Sequence, residues 1–281
     1  MKKIGFVDFY ISEWHANNYP AWIREECEKA GLDYSLDYVW AEEEISPVDG
    51  RSTAEWCREF GAEQCATLEE LCEKSDVIFI LSPTNPEKHL PYAKTVLSYG
   101  KPTYIDKTFA PTLDEAKEIF AIAKKYNTPF FSSSALRYEK ALDELEDCRH
   151  ITVFISGRSV EEYIIHDVEM VVKKLGSGAN KVMCAKNGEQ MFFHLAYPDD
   201  RSACLVYASF GLPGSVIMQG SDENGKTVAP KGSIFNGLIA DILRFFEEGT
   251  MSFDANQTLE AIRVRDAIIA SASACGEWIN F

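Results

Sequence analysis

Between Gly5 and Gly31 the chain has no glycine. The gap matters because Lys3–Val7 is a short apolar run leaving the N-terminus, of the kind that opens nucleotide-binding α/β domains. Such a strand is ordinarily followed by G-x-G-x-x-G, which lets the backbone turn tightly and lie against a pyrophosphate. Here the turn reads Asp8-Phe9-Tyr10-Ile11-Ser12-Glu13. Aromatic rings and two carboxylates stand where the backbone is expected to cradle an anion, and both oppose ordinary dinucleotide binding.

Other absences narrow the function. Positive charge is scarce: 28 Lys and Arg face 44 Asp and Glu, a formal net charge of −16. A phosphate backbone or an anionic membrane surface is repelled by such a chain, so neither nucleic acid nor membrane is an expected partner. The eight cysteines contain no C-x-x-C, and the nearest pair is Cys65 and Cys72. That spacing fits neither zinc nor a small disulfide scaffold, and reduced thiols in a cytoplasm are the expected state. The five histidines (15, 89, 150, 166, 194) lack ligand spacing, so no metal is expected. Asp8 and Glu13 interrupt the apolar start, which argues against a signal peptide. Ser202–Ser221 is uncharged but carries Gly211-Leu212-Pro213-Gly214 at its centre; it reads as two buried strands joined by a turn, not as a membrane span.

What is present specifies two domains, for which 281 residues at 46% hydrophobic content are ample. Residues 1–133 alternate strand and helix signals. Tyr34–Trp40, Asp76–Ser82, Thr103–Asp106 and Pro129–Ser132 follow the first strand, and DVIFILS (76–82) is apolar enough to be buried on both faces. Thr67 with Glu70 and Thr112 with Glu115 form capping-box patterns before helical stretches. This alternation predicts an α/β fold, a doubly wound Rossmann-like parallel sheet covered on both faces by helices, the architecture of dinucleotide-binding domains. Residues 134–281 change texture. Strand-like runs at 151–156, 181–185, 190–196, 203–209 and 215–219, hairpin signals at Asn187-Gly188 and Asn224-Gly225, and helices near 161–175, 234–248 and 256–275 predict an α+β substrate-binding domain. Its sheet is large and mostly antiparallel, and the open face suggests a homo-oligomer, a dimer or tetramer.

In a doubly wound sheet ligands bind beyond the carboxyl ends of the strands. Ser82-Pro83-Thr84-Asn85, Asp106-Lys107-Thr108 and 134–138 (SALRY) fall there. A fourth segment, EEYIIHDVEMVVKKLG (161–176), has an apolar stripe at Val168, Val171, Val172 and Leu175. Glu162, His166, Glu169 and Lys173 share another face. That face is either a solvated, salt-bridged surface or an imidazole poised by a carboxylate one turn away as a general base. Lys107 is a surface lysine or, by its strand-end position, a functional one.

At these residues the chain resembles the glucose–fructose oxidoreductase / inositol dehydrogenase family, often written Gfo/Idh/MocA. The resemblance is carried by SDVIFILSPTNPEKHLPYAKTVLSYGKPTYIDKTFAPTLDEAKEI (75–119), SALRY (134–138), IIHDVEMVVKKLG (164–176) and the closing LEAIRVRDAIIASASACGEWI. It implies an NAD- or NADP-dependent oxidation of the CH–OH group of a sugar, inositol or related polyol. The family's motif lysine falls on Lys107, its catalytic histidine on His166 and the acid one turn earlier on Glu162, all three catalytic, with Lys107 and His166 converging where the two halves meet. Asp8, Phe9, Tyr10, Ser82, Asn85, His89 and Asp106 fall at the cofactor, Glu42 at its ribose, and Arg137 and Tyr138 at the substrate. Asp37, Glu43 and Glu44 compete with Glu42, and His89 reads equally as a helix-surface residue. The family's E-K-P is Asp106-Lys107-Thr108 here and its catalytic Asp is Glu162. With the glycine-free turn, these departures leave a second reading: a redox-silent relative that binds a carbohydrate-like ligand or a protein partner without hydride transfer.

Overall fold

The structure, a computed structural model, describes residues 1–221, 224–229 and 234–281. Two units are delimited by their internal contacts: Met1–Ser133 with Phe235–Phe253, and Ser134–Ile234 with Asp254–Phe281.

The first unit alternates as expected. Its elements are β1 (Lys2–Asp8), α1 (Trp14–Ala30), β2 (Tyr34–Ala41), α2 (Thr53–Phe60), β3 (Glu63–Gln64), α3 (Leu68–Lys74), β4 (Val77–Ile80), α4 (His89–Val96), β5 (Thr103–Ile105), α5 (Leu113–Tyr126) and β6 (Phe130–Phe131). The sheet is parallel in the order β3-β2-β1-β4-β5-β6, the doubly wound arrangement with its switch point between β1 and β4. Every residue of β4 is buried, which is why its sequence is apolar without alternation. Gly5 is required inside β1: a Cβ there meets Ser75 Oγ at 2.3 Å and Leu71 Cδ2 at 2.7 Å, so its absence lets α3 lie close against the strand.

Thr67 and Thr112 cap α3 and α5, each hydroxyl accepting the amide of the glutamate three residues on. The reciprocal box with both hydrogen bonds occurs at Ser52 and Glu55, before α2.

The second unit contains β7 (Cys148–Ser156), α6 (Val160–Leu175), β8 (Lys181–Asn187), β9 (Gln190–Ala196), β10 (Ser202–Ala208), β11 (Ser215–Gly220), β12 (Gly225–Val228), α8 (Asn256–Ala272) and β13 (Trp278–Asn280). The sheet order is β12-β11-β7-β10-β9-β8-β13, antiparallel except for β7 with β10. Hairpins join β8 to β9 and β11 to β12 near the expected Asn-Gly positions; Asp222 and Glu223 in the second lie outside the described residues. The expected direct turn within 202–221 is corrected. Its two strands, β10 and β11, lie on either side of β7, so the Gly-Leu-Pro-Gly segment is a crossover. Among the described residues no helix is long and apolar enough to cross a membrane.

The pattern places all of 134–281 in the second domain, but helix α7 (Ile234–Glu248) lies, from Phe235 onward, in the first unit. Aromatic contacts explain its return. Phe235 stacks on Trp22 at 4.8 Å, Phe246 meets Phe79 edge-on at 5.3 Å, and Phe245 stacks on Phe131 at 5.6 Å.

Candidate functional site

At the carboxyl end of β1, Asp8 points inward and is buried. One carboxylate oxygen accepts the Phe9 amide at 2.7 Å, the Ser82 amide at 3.1 Å and the Ser82 hydroxyl at 3.3 Å; the other is buried without a partner. Burial, with the Glu13 carboxylate nearby, pushes Asp8 well above the usual carboxylate range. Ser82, just past β4, adopts φ 51°, a left-handed conformation uncommon for a side chain other than Gly, Asn or Asp. Its hydroxyl also accepts the Phe9 amide at 2.9 Å.

Glu13 is the N-cap of α1. Its carboxylate accepts the amides of His15, at 2.8 Å, and Ala16. The first helical turn, whose amides serve an anion in nucleotide-binding folds, is thus satisfied by an anion of the chain itself. Burial raises the Glu13 carboxyl against the opposing pull of His15 and the two amides. Tyr10 hydroxyl and Thr84 hydroxyl meet at 3.1 Å, joining the β1 turn to the loop after β4. Lys88 lies over the Phe9 ring at 4.4 Å and binds Glu42, which also accepts the Tyr92 hydroxyl at 2.6 Å. Burial opposes ionisation of Glu42, but Lys88 and Tyr92 outweigh it and hold its carboxyl below the usual range. Asn85 is turned to Glu87 at 2.9 Å.

These residues do not fit a dinucleotide pyrophosphate in its ordinary seat. The amides of Phe9, His15 and Ala16 have carboxylate or hydroxyl acceptors already. Two carboxyl groups flank the turn, and Tyr10–Thr84 and Phe9–Lys88–Glu42 bridge the space between the ends of β1, β2 and β4.

Beyond β5, Asp106 is buried and hydrogen bonded to the His15 ring, the Tyr104 hydroxyl at 2.9 Å and the Lys107 amide at 2.9 Å. Burial works against its ionisation, yet His15, Lys107 and Tyr104 hold it below the usual carboxylate range. Asp106 thus organises the strand end, while Lys107 is half-buried and donates its ammonium to the Pro83 carbonyl at 3.2 Å. The Lys107–Thr108 peptide bond is cis. His89 is neither at the surface nor turned toward a ligand. It is fully buried, its ring nitrogens facing the carbonyls of Leu81 at 2.7 Å and Phe109 at 3.1 Å, and burial lowers its pKa despite them.

In the second unit, the polar face of α6 packs on the Ala135–Tyr138 turn. The sequence offers Glu162 as the carboxylate one turn from His166; in the structure Glu162 pairs with Arg158, and the Ser134 hydroxyl lies 2.7 Å from the His166 Nδ1. Arg137, expected at the substrate, is buried in an ion pair with Glu169 at 3.0 Å and also bonds Gln257. Tyr138 is half-buried. Lys173 bonds Asp143 at 2.8 Å and the Arg137 carbonyl at 3.0 Å. The apolar stripe at Val168, Val171, Val172 and Leu175 is buried as its spacing requires.

The environments of three residues are not legible in the sequence. Glu13 is a rare type of N-cap, so its spacing carried little signal. Ser134 lies 32 positions from His166, and nothing local links them. Asp167 is fully buried with both carboxylate oxygens unpartnered. Among the described residues no cluster of His, Cys, Asp and Glu could hold a metal.

Comparison with known proteins agrees with the architecture. The GFO_IDH_MocA family model, "Oxidoreductase family, NAD-binding Rossmann fold", matches residues 43–134. The match begins after the glycine-free turn and includes the segments around Asn85 and Lys107. An Escherichia coli (strain K12) protein, "Uncharacterized oxidoreductase YhhX", is 37% identical over 83 residues, 27% of this chain and 24% of that protein. The aligned region therefore spans about a quarter of that curated relative. Among solved structures, GenD2 from gentamicin A biosynthesis in complex with NAD has a TM-score of 0.79 at 15% identity, covering 100% of this chain and 97% of that one. The myo-inositol 2-dehydrogenase of Lactobacillus plantarum has a TM-score of 0.76 at 15% identity, covering 100% and 99%. At such identities the likeness is one of fold.

Proposed function

We propose that this chain, a Gfo/Idh/MocA relative by its family match and its fold, acts at the CH–OH group of a sugar, inositol or related polyol. Lys107 and His166 are the proton-handling residues of this reading. In the tautomer that donates Nδ1–H to Ser134, the His166 lone pair is on Nε2, where it can take a hydroxyl proton. An ammonium such as that of Lys107 lowers the cost of negative charge on the oxygen left behind. Ser134 takes the orienting part that the sequence assigned to Glu162. The hydrogen bond between Ser134 and His166 carries the reading, since it orients the ring.

The family implies NAD or NADP, but the β1 turn offers the pyrophosphate no ordinary seat. That misfit, resting on Asp8 and Glu13, favours a second reading in which the chain binds the polyol and transfers no hydride. A homo-oligomer belongs to either reading and is supported by the exposed Phe192, Ile217 and Trp278 on the second sheet. Eight free cysteines support a cytoplasmic setting.

The test is calorimetric titration of the full chain with myo-inositol and a panel of sugars and polyols, with product analysis in the presence and absence of NAD+ or NADP+. Lys107→Ala and His166→Ala are expected to lower any turnover by roughly 100- to 10,000-fold while the fold is retained. Unchanged turnover in the double variant overturns the catalytic assignment; polyol binding without turnover selects the redox-silent reading.

A further inference from the structure

We propose that Cys184 and Cys275 are an oxidation site, a thiol pair that a hydroperoxide converts to a disulfide tying β8 to the loop before β13. The two sulfurs lie 3.2 Å apart within the second unit. A disulfide requires about 2.05 Å, so the pair needs to close by only about 1 Å. The backbones are already joined, because the Gly276 amide donates to the Cys184 carbonyl at 2.7 Å.

Exposure assigns the order of events. All eight cysteines are free; six are buried, Cys204 is half-buried, and Cys275 is exposed. Cys275 is therefore the thiol that a dissolved oxidant reaches. Cys184 is buried and out of reach of a dissolved oxidant, but its sulfur is already beside that of Cys275, which gives it the second, resolving step. Burial pushes its thiol up to about 12, so it gives up its proton only as it attacks.

The Cys275 thiolate attacks one peroxide oxygen and the O–O bond breaks. The leaving hydroxide takes a proton to become water, and Cys275 becomes a sulfenic acid. Cys184 sulfur then attacks Cys275 sulfur, the S–O bond breaks, and the hydroxyl leaves as water with the Cys184 proton. Two thiols are oxidised by two electrons, and one peroxide is reduced to two waters.

The consequence is local. Strand β13 is an edge strand whose partner is β8, through Trp278 with Met183 and Ile279 with Val182. Oxidation adds a covalent tie beside that ladder and suppresses fraying of the strand.

The experiment treats the purified full chain with a few equivalents of hydrogen peroxide, followed by non-reducing digestion and mass spectrometry. The expected product is a peptide linked through Cys184 and Cys275, lighter by two hydrogens and released by dithiothreitol. Cys184→Ser removes the link and leaves Cys275 to proceed to sulfinic acid. The proposal is overturned if the peroxide-treated parent carries Cys275 as a sulfinic acid or an intermolecular disulfide while Cys184 remains alkylatable after unfolding. That measurement needs no variant.

Discussion

Ser82 donates both its amide and its hydroxyl to a single carboxylate oxygen of Asp8, at 3.1 and 3.3 Å, fastening the end of β4 to the end of β1. These are the two strands at the topological switch point, where a doubly wound sheet ordinarily opens a crevice for its ligand. Here the fastening is continued by Tyr10 to Thr84 and by Lys88 across Phe9 to Glu42.

The closure sets an expectation for nucleotide binding. A dinucleotide held with a Kd of about 10 µM, supplied at about 1 mM, stabilises a protein by about 2.7 kcal/mol, and Tm rises by several degrees. If the turn stays closed, as the redox-silent reading requires, NADH and NADPH at that concentration leave Tm unchanged. A clear, concentration-dependent rise in thermal-shift measurements shows the turn to be open.

Arg137 and Glu169 are buried together, their charges 3.0 Å apart. Removing one partner leaves an uncompensated buried charge, whereas replacing both by apolar groups does not. Arg137→Met is expected to cost about 3–5 kcal/mol in urea unfolding, and adding Glu169→Leu to recover most of it. If the two losses simply add, the pair is not the reason for either.

Asp167 sets a pH dependence. Burial alone raises its carboxyl well above the ordinary value of 3.8, so the folded state holds its proton over a pH range where the unfolded chain has lost it. In that range stability falls as pH rises, because the folded state binds more protons. Below 3.8 both states are protonated and the effect vanishes. Asp167→Asn removes the titration. The variant is expected to gain on the parent progressively from acidic to alkaline pH, by on the order of 1–3 kcal/mol. A Tm difference that is flat with pH contradicts the assignment.

Much of the fold can be read locally. The all-apolar DVIFILS could only be a strand covered on both faces, and the 3.6-residue stripe from Val168 to Leu175 could only be a helix laid on a core. Gln190–Ala196 and Ile234–Glu248 begin and end where the pattern says. Which sheet or unit an element joins is not local. Strand β7 separates β10 from β11, and α7 returns to the first unit through Phe235, Phe245 and Phe246, whose ring partners lie more than a hundred residues away in the sequence.

The candidate site divides along the same line. The missing glycines, the strand-end position of Lys107 and the helical setting of His166 are visible in the order of residues, because turn geometry and periodicity are short-range properties. Tertiary packing decided the partners. It gave His15 to Asp106, Ser134 to His166 and Glu169 to Arg137, enclosed His89 between two carbonyls, and set the Glu13 carboxylate on the amides of its own helix. Charge state and hydrogen bonding depend on burial and on whatever group lies within about 3 Å, and for a side chain that neighbour is chosen by the folded chain.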